Sequence, residues 1–309
     1  MIELTNLRKE FDDLVAVENL TLSISSGEIY GLIGPNGAGK TTTIRMICGL
    51  LEATQGEVRV AGIDVLSEPE QARQYIGYLS DFFSVYEDLK VWEYLDYFAH
   101  AYKMPESEIP ARVSEVIAQA GLEVKRDGVI RGLSRGMKQR LGIARAMIHR
   151  PKVLVLDEPA SGLDPKARIE LRNLLLSARE EGATILISSH ILTELEGFCT
   201  SIGIMEKGRL VRSGRLEEVM LAATPTRTVR LQWLGEGRAQ IEARLGTLAT
   251  VSELKLSENE GEFVFSGSDN ELSQALADLI TSGARILSFR EVKQTVEEMY
   301  MKLSTHEVM

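Results

Sequence analysis

Gly34-Pro35-Asn36-Gly37-Ala38-Gly39-Lys40-Thr41 follows the apolar run Ile29-Tyr30-Gly31-Leu32-Ile33 and opens into Thr42-Thr43-Ile44-Arg45-Met46-Ile47. The pattern reads as strand, glycine turn, helix. Glycines at 34, 37 and 39 let the backbone curl until several N–H groups face one anion. A helix starting near Lys40 adds its positive N-terminal end. Lys40 offers a point charge for the β- and γ-phosphates of a nucleotide, and the Thr41 hydroxyl suits Mg²⁺. The spacing alone also fits a plain glycine-rich turn. The strand before it and the helix after it favour a phosphate loop.

Working outward, Val153-Leu154-Val155-Leu156-Asp157-Glu158-Pro159 is an apolar strand ending in two acids. An Asp there can hold Mg²⁺ opposite the phosphate-loop threonine, and the next Glu is placed to orient or deprotonate a water. By itself the pair would read as an exposed acidic turn. Leu133-Ser134-Arg135-Gly136-Met137-Lys138-Gln139-Arg140 begins a helical pattern. Ser134 is a good N-cap, and Gly136 permits an anion to approach the helix start. An ordinary capped helix explains the same residues when they are taken alone. Ser161-Gly162-Leu163-Asp164 is a turn, and His190 follows the buried strand that ends at Ser188-Ser189.

The chain has 309 residues, enough for two domains, with 44% hydrophobic and 26% charged residues. No apolar run reaches the ~18 residues that cross a bilayer. No basic region followed by an apolar stretch marks the N-terminus as a secretory signal. Cys48 and Cys199 sit far apart in apolar surroundings and read as buried thiols. The net charge of -10 argues against nucleic acid as the main ligand. Segments 20–24, Ile29–Ile33, Ile76–Leu79, Val153–Leu156, 184–188 and 202–205 read as strands of an α/β core with a mostly parallel sheet. Between about 84 and 150 the strand signal gives way to helical patterns at 91–102, 106–120 and 134–149. A break follows at Thr224-Pro225-Thr226. Beyond it, strands at 228–234, 251–256, 263–265 and 286–289 alternate with helical stretches at 239–245 and at Leu272, Ala275, Leu276, Leu279 and Ile280. Val292, Val296, Met299, Tyr300 and Leu303 make a last helical stripe, with Thr295 and Glu298 as a capping box. The order β-α-β-β-α-β suggests a small ferredoxin-like domain.

Taken together, these motifs resemble the ATP-binding cassette (ABC) family over roughly residues 1–220, in its order and spacing. The phosphate loop matches at 34–41, the signature motif at 133–137, the strand-end acids at Asp157 and Glu158, the D-loop at 161–164 and the switch histidine at His190. The resemblance implies an ATP- and Mg²⁺-dependent ATPase: a cassette over 1–220 with a helical subdomain at about 84–150, and an accessory or dimerisation domain over 225–309. It implies that two copies pack head to tail in the ATP-bound state, with each ATP between one copy's phosphate loop and the other's signature helix. Residues 34–42 would then bind the phosphates, with Lys40, Glu158 and His190 as the catalytic groups. Ser134 and Gly136 would meet the γ-phosphate across the interface, and Asp164 would cross it. Thr41 and Asp157 would hold the metal. Phe11 sits where the family stacks an aromatic ring on adenine, and a core aromatic is the open alternative. An exporter with a separate integral membrane permease is implied, this chain lying on the cytoplasmic face of the cell membrane. Two other readings stay open: a soluble cassette ATPase that remodels a cytosolic complex, and a nucleotide-binding regulator without turnover.

The sequence departs from that pattern in three places. Asp81 stands where the family has Gln; it would keep a metal-sensing role or be a loop residue. Arg135 replaces a glycine of the signature and Met137 its glutamine. Phe82, Phe83 and Trp92 lie at the junction that the family uses as a groove for a helix of the membrane subunit. Packing between the two subdomains accounts for them equally.

Overall fold

The computed structural model describes residues 1–191, 195, 197–216, 218, 219 and 227–292. They fall into two compact units, Met1–Leu216 and Glu217–Met309. The expected break at 224–226 and the stripe beyond Val292, with its Thr295 and Glu298 cap, lie outside the described residues.

In chain order the first unit holds β1 (Ile2–Phe11), β2 (Leu14–Ile24), β3 (Ile29–Ile33), α1 (Lys40–Ile47), β4 (Gln55–Val60), β5 (Ile63–Asp64), α2 (Pro69–Gln74), β6 (Ile76–Leu79), α3 (Val91–Ala101), α4 (Ile109–Gln119), α5 (Arg135–Met147), β7 (Val153–Leu156), α6 (Pro165–Glu180), β8 (Thr184–Ser189), β9 (Ser201–Glu206) and β10 (Arg209–Arg215). The central sheet runs β10-β9-β3-β8-β7-β6. Its strands pair in parallel from β9 to β6, and β10 closes one edge antiparallel. Every residue of β3, β7 and β8 is buried. This is why those stretches read as unbroken apolar runs: helices or a second sheet cover both faces. The site residues expected near phosphate therefore gather where ligands collect in such sheets, beyond the strands' carboxyl ends.

A second, antiparallel sheet of order β2-β1-β4-β5 packs on the first. Only its segment 20–24 was expected from the sequence. The physical reason is visible in β1. Ile2, Leu4 and Leu7 are fully buried, but the pairing register slips between Leu4 and Leu7 and again after Leu7. Asn6 and Asn19 take left-handed backbone there. Such bulges break the two-residue alternation that marks a strand. The two sheets share one core, in which Leu20, Tyr30, Ile44, Val58 and Leu186 meet. Each large apolar side chain so buried contributes about 1.5–3 kcal/mol. Both cysteines are buried thiols.

The second unit runs β11 (Arg227–Leu234), a helix Arg238–Leu245, β12 (Val251–Leu256), β13 (Glu260–Phe265), a helix Asp269–Thr281 and β14 (Arg285–Val292). Its antiparallel sheet has the order β12-β13-β11-β14. Alternate residues Val229, Leu231 and Trp233 face the helices and join Phe263, Phe265, Ile241 and Leu279 in a separate core. Ser268 and Glu271 form a capping box for the second helix. Ile280, expected on that helix's buried stripe, is exposed. It lies one residue past Leu279, and a helix turns about 100° per residue.

Candidate functional site

The phosphate loop leaves the end of β3 and re-enters structure at α1. Its glycines are set by contacts. A Cβ on Gly34 would lie 2.4 Å from the Met205 carbonyl oxygen, and one on Gly39, at φ +101°, would lie 2.5 Å from that of Ala16. Neither position tolerates a side chain. Helix α1 starts without a side-chain cap and without an acid in its first turn. Its first N–H groups therefore remain available to an anion, undamped by a neighbouring carboxylate. Lys40 is almost fully buried. Its Nζ donates to the carbonyls of Gly34 at 2.6 Å and Pro35 at 3.2 Å, and it lies 3.4 Å from Glu158 Oε1.

An open cleft of about 520 Å³ lies over this loop. Phe11 and residues 36–42 line it, as do Asp81 and Glu158. Gly34 and Pro35 are not among the lining residues; their carbonyls accept from Lys40. The alternative for Phe11, a core aromatic, is ruled out: the ring is 42% exposed on the cleft wall, with Lys9 Nζ 4.9 Å from its centre. Val15, Ala16 and Lys207 also line the cleft, and sequence reading singled out none of them.

The two acids behave differently. Asp157 is buried, and its Oδ1 accepts from Ser188 Oγ at 2.6 Å. Glu158 has φ +49°, a left-handed conformation that is rare outside glycine and costs about 1–3 kcal/mol. That backbone aims its carboxylate into the cleft. Glu158 Oε2 accepts from His190 Nδ1 at 2.8 Å and from the His190 backbone N–H at 3.3 Å, while Oε1 faces Lys40. A carboxylate at this place fixes the tautomer of His190 with its proton on Nδ1. Asp81 is exposed on the cleft's edge. Partial desolvation at the cleft edge first, then the carboxylates of Asp157 and Glu158, push its carboxyl above the usual range, against the pull of Arg135 and His190.

Among the described residues, no three His, Cys, Asp or Glu side chains cluster as a self-sufficient metal cage. The oxygens of Thr41, Asp157 and Asp81 are hard donors that would complete only part of a shell. That arrangement suits Mg²⁺, which keeps waters and substrate phosphates among its ligands.

Ser134, Gly136 and Asp164 are not brought to this cleft. They form a second cluster around the start of α5, and each has a local task. The Ser134 hydroxyl caps α5 by accepting from the Met137 N–H at 3.3 Å. A Cβ on Gly136 would come within 2.7 Å of the Ala167 Cβ, so the glycine is also required for α5 to pack on α6. Asp164 caps α6 by accepting from the Ala167 N–H at 2.9 Å. Arg135 donates to the Ser161 carbonyl at 2.8 Å and lies over Gly162, where a Cβ would be 2.5 Å from its guanidinium carbon. The arginine that departs from the signature pattern thus ties the signature loop to the 161–164 turn.

The three aromatic residues of the junction differ in their surroundings. Phe82 is 92% exposed. Phe83 packs against the helix, where a Cβ on Gly142 would be 2.8 Å from its ring. Trp92 lies under the Arg126 guanidinium, 5.7 Å from the ring centre. No helix among the described residues is long and apolar enough to cross a membrane.

Residues 17–161 match the family model described as ABC transporter. The chain is 37% identical over 220 residues to the Nod factor export ATP-binding protein I of Cupriavidus metallidurans, covering 71% of this chain and 73% of that one. It is 29% identical over 306 residues to the linearmycin resistance ATP-binding protein LnrL of Bacillus subtilis, spanning 98% of both. Among solved structures, the ATP-binding cassette MJ0796, as a dimer in a post-hydrolysis state bound to ADP and Pi, superposes with a TM-score of 0.62 at 28% identity. That likeness covers 70% of this chain and 99% of the other.

Proposed function

Because the chain belongs to the ABC transporter family and is one of its ATPases, we propose that it powers an exporter whose membrane-spanning permease is a separate chain. The observation that carries this reading is the division of the site. The cleft holds a phosphate cradle, a base and a histidine; the signature residues form another cluster on the same chain. Two copies facing head to tail would bring each cluster onto the other's cleft. Export is the direction because relatives are named for Nod factor export and linearmycin resistance.

In this reading the adenine rests against Phe11. The backbone N–H groups of residues 36–41 and the Lys40 ammonium hold the phosphates, after Lys40 exchanges its loop carbonyls for phosphate oxygens. Glu158 takes the proton of the attacking water, and His190, held by Glu158, steadies the γ-phosphate. Ser134 and the Gly136 N–H of one copy meet the γ-phosphate held by the other, and Asp164 reaches across beside them. Thr41, Asp157 and Asp81 would hold Mg²⁺, and the bound ion would offset phosphate charge during transfer. The neighbouring carboxylates that raise the Asp81 carboxyl are charges that a bound cation would offset.

The cassette extends over 1–220 with its helical subdomain at about 84–150. The domain over 225–309 is ferredoxin-like, a reading supported by its strand order with β11 and β13 in the middle, and it serves homodimer contact or regulation. Exposed Phe82 belongs to the surface that meets the permease, and the chain rides on the cytoplasmic face of the membrane. The test is Glu158→Gln in saturating Mg-ATP. It is expected to bind nucleotide, turn over on the order of a hundredfold more slowly, and double in mass by light scattering. A variant that stays monomeric would refute the head-to-tail arrangement.

A further inference from the structure

Ser188 is fully buried at the end of β8, and nothing above gives it a role. The parallel register pairs Leu156 with Ile187, so the next residues on the two strands, Asp157 and Ser188, stand side by side. A serine hydroxyl has one proton and two lone pairs. A backbone N–H can only donate, so the Glu158 N–H, 3.0 Å away, takes a lone pair of Ser188 Oγ. The hydroxyl proton is thereby directed to Asp157 Oδ1 at 2.6 Å. One oxygen thus joins the carboxylate of one acid to the backbone of the other. It does so where Glu158 adopts φ +49°, the conformation that turns its side chain toward His190 and Lys40.

We propose that Ser188 is a positioning residue for turnover: its hydroxyl holds the Asp157 carboxylate and the Glu158 backbone in one fixed relation. The inference rests on the roles given to Asp157 and Glu158 under Proposed function. Without the hydroxyl, Asp157 loses a charge-assisted bond that fixes its carboxylate, and the part-buried Glu158 N–H is left without its acceptor. The bond also links the histidine strand to the acid strand, because His190 follows Ser188 by two residues.

The experiment compares Ser188→Ala, Ser188→Cys and Ser188→Thr in the full chain. Ala removes the hydroxyl, Cys keeps the size with a weak donor, and Thr keeps the hydroxyl. Three quantities are read: kcat and KM for ATP, the Mg²⁺ concentration giving half-maximal turnover, and binding of a fluorescent ATP analogue in EDTA. Ala and Cys are expected to lower kcat about 10- to 100-fold, as loss of an outer-shell partner does. They should raise the Mg²⁺ requirement severalfold and leave metal-free binding within about twofold of the parent. Thr should recover most of the turnover. An Ala variant with parental kcat and Mg²⁺ requirement would overturn the proposal. So would loss of metal-free binding in all three variants, which would mean collapse of the loop. Unchanged turnover in Lys40→Ala would instead remove the cleft as the site, and that result is separable from the Ser188 pattern.

Discussion

The phosphate-loop end and the signature end of the same cassette are held together by different physics. At the first, polar groups point into an open cleft, and the backbone is bent to make them do so. Gly39 sits at φ +101° and Glu158 at φ +49°, while Lys40 borrows carbonyls of its own loop. At the second, Ser134 and Asp164 are helix caps and Gly136 is a packing glycine. Nothing there is strained, and each polar group named has an internal partner. The difference teaches that one end is shaped for a ligand, whereas the other is stable as ordinary helix-start chemistry. The signature end can therefore take on a ligand role only by presenting those same groups to another surface.

The largest effect should come from the first end. Lys40→Ala removes a buried cation of the cleft and is expected to reduce ATPase activity on the order of a hundredfold or more; a phosphate-release assay checks it. Parental activity would erase the contrast between the ends. At the second end, Gly136→Ala adds a methyl against the Ala167 Cβ. Overpacking of this kind costs about 1–3 kcal/mol, of which better helix propensity returns up to about 1 kcal/mol. The melting temperature should fall by a few degrees, while nucleotide binding by the isolated chain stays unchanged in equilibrium titration. The smallest effect is expected from Asp164→Ala, which removes a helix cap worth about 1 kcal/mol. Its chemical denaturation midpoint should shift slightly, again with unchanged binding by the single chain. If either second-end variant weakened that binding as Lys40→Ala does, the two ends would be one site within a chain.

Much of the first end was legible along the chain. Residues 34–41, the acids after the buried run at 153–156, and His190 are local patterns in which neighbours in sequence are neighbours in function. Helix α5 was legible for the same reason, through its cap and its apolar period. Other features were hidden because they depend on distant partners. The bulged β1 lost its alternation, so the antiparallel sheet carrying Phe11 went unseen. Gly136 looked like an anion-binding glycine, and its need for Ala167 appears only when α5 meets α6. Phe82 and Phe83 are adjacent and alike in chemistry, yet one is exposed and the other packs on Gly142.

By itself the sequence determined the nucleotide-binding character of the chain, because a glycine turn between a buried strand and a helix start needs only local backbone geometry to gather N–H groups around an anion. Only the tertiary structure decided how the acids are aimed. Asp157 and Glu158 directly follow β7, while Ser188 on β8 and His190 just past its end hold them. Hydrogen bonds act over about 3 Å, so residues some thirty positions apart can orient one another only after the parallel strands have paired.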